Sequence, residues 1–438
     1  MIRPAPFVAL GSLLLSLALT GQARSADSLT ACTAGTPCTP IQHVVFIVKE
    51  NRSFDSIFGT YPGAIGATTF TNSSGQVLPL NHQPEALLTD INHSWTGYQL
   101  ASDSGKMDKF SGESGAMQNG IDEADSQLYQ SDIPNYWTYA RDFTLTDEFF
   151  SEIAGPTFPN HLFTIAANDN NVMTSPGVGA PPNNGWGCDQ ASINRVEEMN
   201  AKGQTTSVFP CFDNATLADN LDRHSIPWKY YTSLQGQPGY IFSTYDAIKH
   251  IRYGPDWVND VLDRQQFLTD AMAGTLPAVS WLTNLNNDHP PNSICTGENE
   301  TVSYINAIMS NPTEWAHTAI VLVWDDYGGF FDHVIPPKGP NPRIEYGGRV
   351  PAIIISPYAR RGYVDHTMYT FSSMLKFVED LWGLPSLTSM DGQANDMFNA
   401  FDFSQQPATP LSLQTRDCTT AVSASRTTGA PSFVGNRD

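Results

Sequence analysis

The sequence predicts an α/β protein built on a largely parallel sheet with helices on both faces. Three observations point there. Continuous apolar runs at 43–48, 319–324 and 350–356 read as strands buried on both sides. Segments with helical periodicity and capping residues lie between them. Two of the runs stop abruptly in acids, at Glu50-Asn51 and Asp325-Asp326, and in such sheets ligand-binding loops gather beyond the carboxyl ends of the strands.

Residues 1–25 stand apart from that scaffold. Arg3, an apolar core at 7–19 and Ala23-Arg24-Ser25 have the layout of a cleaved secretory signal. No later run approaches the ~18 apolar residues of a membrane helix, so the mature chain is expected to lack an integral membrane segment and to be secreted or periplasmic. Six cysteines, at 32, 38, 188, 211, 295 and 418, lack zinc-finger spacing. In an exported chain they favour disulfides, with 32/38 and 188/211 as the short-loop choices, which would leave 295 with 418. The net charge of −21 argues against nucleic acid or an anionic membrane as an electrostatic partner. An anionic substrate would need local cations, and a bound metal is one source. Nothing in the sequence fixes an oligomeric state.

The remaining elements follow in order. The strand at 43–48 leads into Lys49-Glu50-Asn51, and 60–130, rich in Gly, Ser, Asn and Asp, reads as surface excursions over the scaffold. Next comes Gly155-Pro-Thr157-Phe-Pro-Asn-His161, where Pro159 suits the first turn of a helix and Thr157 its cap. A loop at 173–187 follows. Asn214 is placed as the cap of 215–223 and Asp256 as the cap of 257–273. Ser372 or Ser373 would cap a helix carrying Met374, Leu375, Val378, Leu381 and Trp382 and ending at Gly383. The catalytic domain is assigned to 26–404. Residues 405–438 form an extension turning to Ser, Thr, Ala and Pro, with its last part mobile.

Any one acid after a strand reads as a cap or a solvated turn residue. Two clusters delivered to one edge are different, because adjacent carboxylates at low dielectric repel unless a cation lies between them. Gly328-Gly329 and His333 follow closely. Taken alone Thr157 is an ordinary cap; beside a metal its hydroxyl becomes a candidate nucleophile. His93, His289 and His333 occupy polar loop contexts suited to proton transfer, and Asp332 is read as orienting His333. His161 stays outside this predicted set.

These residues resemble a known family. Glu50-Asn-Arg-Ser-Phe-Asp55, Gly155-Pro-Thr157-x-Pro-Asn160, Trp324-Asp-Asp-Tyr-Gly-Gly-Phe-Phe-Asp-His333 and Arg349-Val-Pro-x-Ile-Ile-Ile-Ser-Pro-Tyr358 are similar, in order, to the signatures of the bacterial phosphoesterase family. That family contains the non-zinc phospholipases C, plant non-specific phospholipases C and secreted acid phosphatases. The resemblance implies an alkaline-phosphatase-like three-layer α/β/α sandwich with long loop insertions. It implies a divalent metal (Ca, Mg, Mn, Zn or Fe) held by Glu50, Asn51, Thr157, Asp325 and Asp326, with Thr157 as nucleophile and His93, His289 and His333 on the phosphate or as acid and base. The expected substrate is a small phosphoester or a phospholipid head group, with an acid phosphatase as the alternative and a non-catalytic metal- or phosphate-binding protein as the alternative from another class. Asp325-Asp326 departs from the Asp-Glu often found there. The Cys-x-Pro-x-Arg of formylglycine sulfatases is absent.

Overall fold

A computed structural model describes residues 32–177, 185–191, 193–200, 202–285, 288–339 and 346–419, together with Met1. Apart from Met1, the predicted signal at 1–25 lies outside the described residues, as do the middle of the 173–187 loop and the last part of the C-terminal extension.

The strands that dominate the core are apolar at successive positions, so they can only sit between two covering layers. They form an eight-stranded sheet. In chain order its strands are β1 (His43–Lys49), β2 (Thr144–Thr146), β3 (Trp228–Thr232), β4 (Val261–Asp263), β5 (Val279–Thr283), β6 (Thr318–Trp324), β7 (Ala352–Ile355) and β8 (Tyr363–Asp365). Their spatial order is β4-β3-β5-β1-β6-β7-β2-β8. β1 lies parallel to β5 and β6, and its register against β6 runs from His43 opposite Thr318 to Lys49 opposite Trp324. Both strands therefore deliver the next residues to the same edge.

The run at 350–356 is a correction to the expected arrangement. β7 pairs antiparallel with both of its neighbours, β6 and β2. Just before β7 the chain is at the carboxyl edge, where Gly348 O accepts from Ser151 N and Arg349 O from Phe54 N. A strand that starts from that edge has to run downward.

The helices around the sheet are α1 (Phe54–Phe58), α2 (Pro134–Asp142), α3 (Thr157–Ala166), α4 (Leu217–Arg223), α5 (Arg264–Ala273), α6 (Ile294–Met309), α7 (Phe371–Trp382) and α8 (Ser389–Gln393). Neighbouring residues of one strand look at opposite layers. Tyr230 meets Tyr245 at 5.1 Å between ring centroids, while Tyr231 meets Phe267 of α5 at 5.2 Å. On the first side Trp281 Nε1 donates to Thr164 O of α3; on the second Trp324 packs edge-on against Tyr136 of α2. The result is a three-layer α/β/α sandwich.

Cap assignments change at α4, α5 and α7. Thr216, not Asn214, caps α4, with Asp219 closing a capping box. Thr370 caps α7, and Ser373 supplies the reciprocal bond. The stretch 257–273 is not one helix: a short helix at Pro255–Asn259 gives way to edge strand β4, and Asp263 caps α5. Val261 and Leu262 gain more by pairing opposite Tyr230 and Tyr231 than a helix would give them. The excursion at 60–130 also builds a core of its own, where Phe70, Leu87, Ile91, Tyr98 and Phe110 pack with Tyr327, Phe330 and Phe331. That packing fixes the insertion over the loop after β6. All six cysteines pair as expected: Cys32–Cys38, Cys188–Cys211 and Cys295–Cys418.

Candidate active site

Beyond β1 the chain turns sharply. Asn51 has φ 60°, a left-handed value that asparagine tolerates better than most side chains, and its N–H donates to Asp325 Oδ1 at 2.9 Å. Asp326 N donates to the same oxygen at 2.8 Å. The first cluster is thus bonded to the second. Gly328 must be glycine here: it has φ 63°, and a Cβ would lie 2.3 Å from Asn51 O.

Thr157 is the first residue of α3, with Pro156 in the cap position and no side-chain cap bond. Its hydroxyl is therefore free of the capping role predicted for it. Thr157 Oγ1 lies 3.2 Å from Glu50 Oε2 and 3.4 Å from Asp326 Oδ2 and donates toward these acids. One turn along α3, His161 Nε2 approaches Glu50 Oε1 at 2.9 Å and Asp325 Oδ2 at 3.8 Å. The signal for His161 was its i+4 spacing from Thr157, which puts both side chains on one helix face.

All of these groups are buried, Glu50, Asp325 and Asp326 to 1% exposure or less. Two charges about 4 Å apart repel by about 4 kcal/mol even at an effective dielectric of 20. Burial, followed by Asp325 and Asp326, pushes the Glu50 carboxyl well above its usual range. Burial and Asp325 do the same to Asp326. Burial holds the His161 imidazole down at about 4. The donor set fits a divalent cation on a further ground: Asn51 Oδ1, His161 Nε2 and Asp325 Oδ2 are buried and have no hydrogen-bond partner. Buried polar atoms are otherwise almost always bonded.

His93 Nδ1 donates to Ile91 O at 2.7 Å, so its Nε2 accepts from Asn51 Nδ2, also at 2.7 Å. That contact turns Asn51 Oδ1 away from the ring. Burial lowers the His93 pKa, but Asp90 and Asp326 raise it more, to about 9. A cation among the acids would cancel part of that pull and favour the neutral ring. His289 stacks edge-on against His93 at 5.6 Å, with Asp90 3.9 Å from its Nε2.

His333 makes its contacts in a second cluster. Its Nδ1 bonds Asp55 Oδ2 at 2.6 Å, so the orienting carboxylate is Asp55 and not Asp332. Asp332 is taken by Arg349 Nε at 2.9 Å, and Arg349 Nη2 also reaches Asp55 at 3.3 Å. The buried guanidinium already supplies the cation that these two acids need.

Residues 41–385 match the profile of the Phosphoesterase family. The chain belongs to that family. This phosphoesterase is 26% identical over 437 residues to Phospholipase C A of Mycobacterium tuberculosis, a match covering 85% of this chain and 80% of that one. It is 25% identical over 437 residues to the Non-hemolytic phospholipase C of Pseudomonas aeruginosa, covering 85% and 58%. Against Non-specific phospholipase C6 of Arabidopsis thaliana it is 25% identical over 409 residues, covering 81% and 71%. A solved structure described as a protein in the alkaline phosphatase superfamily, from Vibrio parahaemolyticus, overlays with a TM-score of 0.39 at 9% identity, covering 83% of this chain and 71% of that one. An overlap of that size carries no functional weight. The phosphoesterase is a hydrolase of phosphoric ester bonds. Among its described residues no helix is long and apolar enough to cross a membrane.

Proposed function

We propose that this chain is a secreted, metal-dependent phosphoric ester hydrolase of phospholipase C type, with Thr157 as nucleophile. The observation that carries the reading is the convergence of Thr157 Oγ1 on Glu50 and Asp326 at the edge where β1 and β6 end. Residues 26–404 form the catalytic domain of this reading, with 405–438 as its extension. Glu50, Asn51, Thr157, Asp325 and Asp326 would hold a divalent ion, which when bound lowers the pKa of a coordinated hydroxyl and offsets the charge of the acids.

The chain's own residues account for the rest. The start of α3 sets backbone N–H groups and the positive end of the helix beside the Thr157 hydroxyl, where phosphoryl oxygens are favoured. His289 contacts the phosphoryl oxygens, and His93, whose two nitrogens are taken by Ile91 O and the Asn51 amide, holds Asn51 in place beside them. Thr157 Oγ1 gives its proton to the Glu50 or Asp326 carboxylate it donates to and forms a bond to phosphorus as the ester P–O bond breaks, while His333, held by Asp55, gives the leaving oxygen a proton. Water then attacks phosphorus, passing a proton to His333; the Thr157–phosphorus bond breaks, and the carboxylate returns its proton to the Thr157 hydroxyl.

The test is a substrate panel on metal-analysed protein. Hydrolysis of p-nitrophenyl phosphorylcholine over p-nitrophenyl phosphate supports the phospholipase C assignment. The reverse preference, strongest at low pH, makes the protein an acid phosphatase. Metal-loaded protein inert to every phosphoester is a binding protein and not an enzyme. The double variant Asp325→Asn, Asp326→Asn should lose its metal; undiminished content by elemental analysis contradicts the ligand set.

A further inference from the structure

The oxygen ligands proposed above leave one group unexplained. His161 lies on the inward face of α3 at 1% exposure, between Glu50 and Asp325, and the three form one compact group of potential ligand atoms. Its ring is fixed from behind. Nδ1 lies 3.3 Å from Thr244 Oγ1, which accepts from Tyr230 Oη at 3.0 Å and lies 3.4 Å from Phe242 O. With the Thr244 hydroxyl proton on Phe242 O, the Thr244 oxygen is left to accept from Nδ1–H. The Nε2 atom then carries a lone pair.

That lone pair points at carboxylate oxygens. Nε2 sits 2.9 Å from Glu50 Oε1 without forming a hydrogen bond, and Asp325 Oδ2, 3.8 Å away, is likewise unpartnered. Two carboxylate oxygens thus converge within 3.8 Å of one ring nitrogen, and no hydrogen bond joins Nε2 to either acid. A neutral imidazole whose other nitrogen is tied to a hydroxyl is how proteins present histidine to a metal.

We propose that His161 Nε2 is a nitrogen ligand of this centre, bound together with Glu50 and Asp325, and that it selects a borderline transition ion over Ca²⁺ or Mg²⁺. The inference rests on the metal site proposed above and adds a ligand to it. Imidazole suits Zn²⁺ or Fe, whereas Ca²⁺, Mg²⁺ and Mn²⁺ favour oxygen. The preference is built by a residue on the nucleophile's own helix.

The experiment measures metal binding, not turnover. Full-length secreted protein is stripped with chelator and titrated calorimetrically with Zn²⁺, Mn²⁺, Ca²⁺ and Mg²⁺, and the Mn²⁺ form is examined by pulsed electron paramagnetic resonance for ¹⁴N coupling. Wild type should bind Zn²⁺ far more tightly than Ca²⁺ or Mg²⁺, and its Mn²⁺ form should show imidazole coupling. His161→Gln should lose the coupling and weaken Zn²⁺ binding by about 10-fold or more, the scale on which even outer partners of a ligand act. Thr244→Val, which removes only the tautomer-fixing hydroxyl, should weaken Zn²⁺ binding by less while keeping the coupling. Unchanged Zn²⁺ affinity and ¹⁴N coupling in His161→Gln, with metal still lost in the Asp325→Asn, Asp326→Asn variant, overturns the His161 assignment and leaves the oxygen site standing. A wild type that binds none of the four ions overturns both.

Discussion

Asp55 Oδ2 accepts from both the Nδ1 and the backbone N–H of His333, and Oδ1 accepts from Ala67 N and Arg349. Burial lowers the His333 pKa, but the bond to Asp55 and its charge raise it further, so the net shift is upward. If His333 protonates the leaving group, activity falls as pH rises through that raised pKa. Asp55→Asn removes a charge that favours imidazolium, and the alkaline limb of the kcat profile should move down by roughly 1 to 3 units. An unmoved alkaline limb in a folded variant would take His333 out of the acid role. The same cluster shows why residue-level reading of the sequence went partly astray. Asp332 adjoins His333 in the chain, and adjacency suggested the pair. Asp55, far away in sequence, is brought to the ring by the close of the β1 turn, and Arg349 claims Asp332.

At the scale of elements, the strands that carry the acids were legible because their apolar runs are long and lack alternation; β6 ends where the sequence places it, and β1 one residue later, at Lys49. The direction of β7 was not legible, since an apolar run of four buried residues looks the same in either sense. Nor was the split of 257–273, where strand pairing overrode a helical pattern. His161 was legible in principle from its spacing on α3. Elements also store pH dependence away from the site. Glu379 of α7 is held up at about 9, first by burial and then by the neighbouring Asp391 of α8. Its folded pKa lies above the ordinary carboxylate value, so this group's contribution to stability is full below about pH 4.5 and declines as pH rises through about 9. Glu379→Gln, which carries a neutral amide at every pH, should flatten the loss of thermal stability between those limits. Parallel melting curves for the two proteins across that range would discount the assignment.

Across the whole molecule, the described part of the extension is tied down along its length. Ala408 O accepts from Trp315 Nε1, Leu413 exchanges bonds with Asn306, and Arg416 reaches Glu298 and Glu85. Cys418 then joins Cys295 at the start of α6, closing a loop across a sequence separation of 123. Loops of that length give a crosslink its largest effect on the unfolded chain. Replacing both Cys295 and Cys418 by Ser should lower stability by roughly 2–5 kcal/mol, read by denaturant unfolding, while leaving kcat well below the melting temperature unchanged. A lost kcat at full folding would mean that the strap reaches the active site. The fold as a whole serves one edge: β1 brings Glu50 and Asn51, β6 brings Asp325 and Asp326, α3 brings Thr157 and His161, and the insertion at 60–130 brings His93.

Attack of Thr157 on phosphorus is the step on which the proposed chemistry turns. Metal-loaded protein mixed with p-nitrophenyl phosphorylcholine and quenched in acid within a turnover can be digested and mapped by mass spectrometry. A substrate-derived phosphoryl group is expected on Thr157, and a Thr157→Ala variant should fold, keep its remaining metal ligands and lose about 10⁴-fold or more in kcat. Rapid turnover with no modified Thr157 peptide, together with near-wild-type activity in Thr157→Ala, would contradict it.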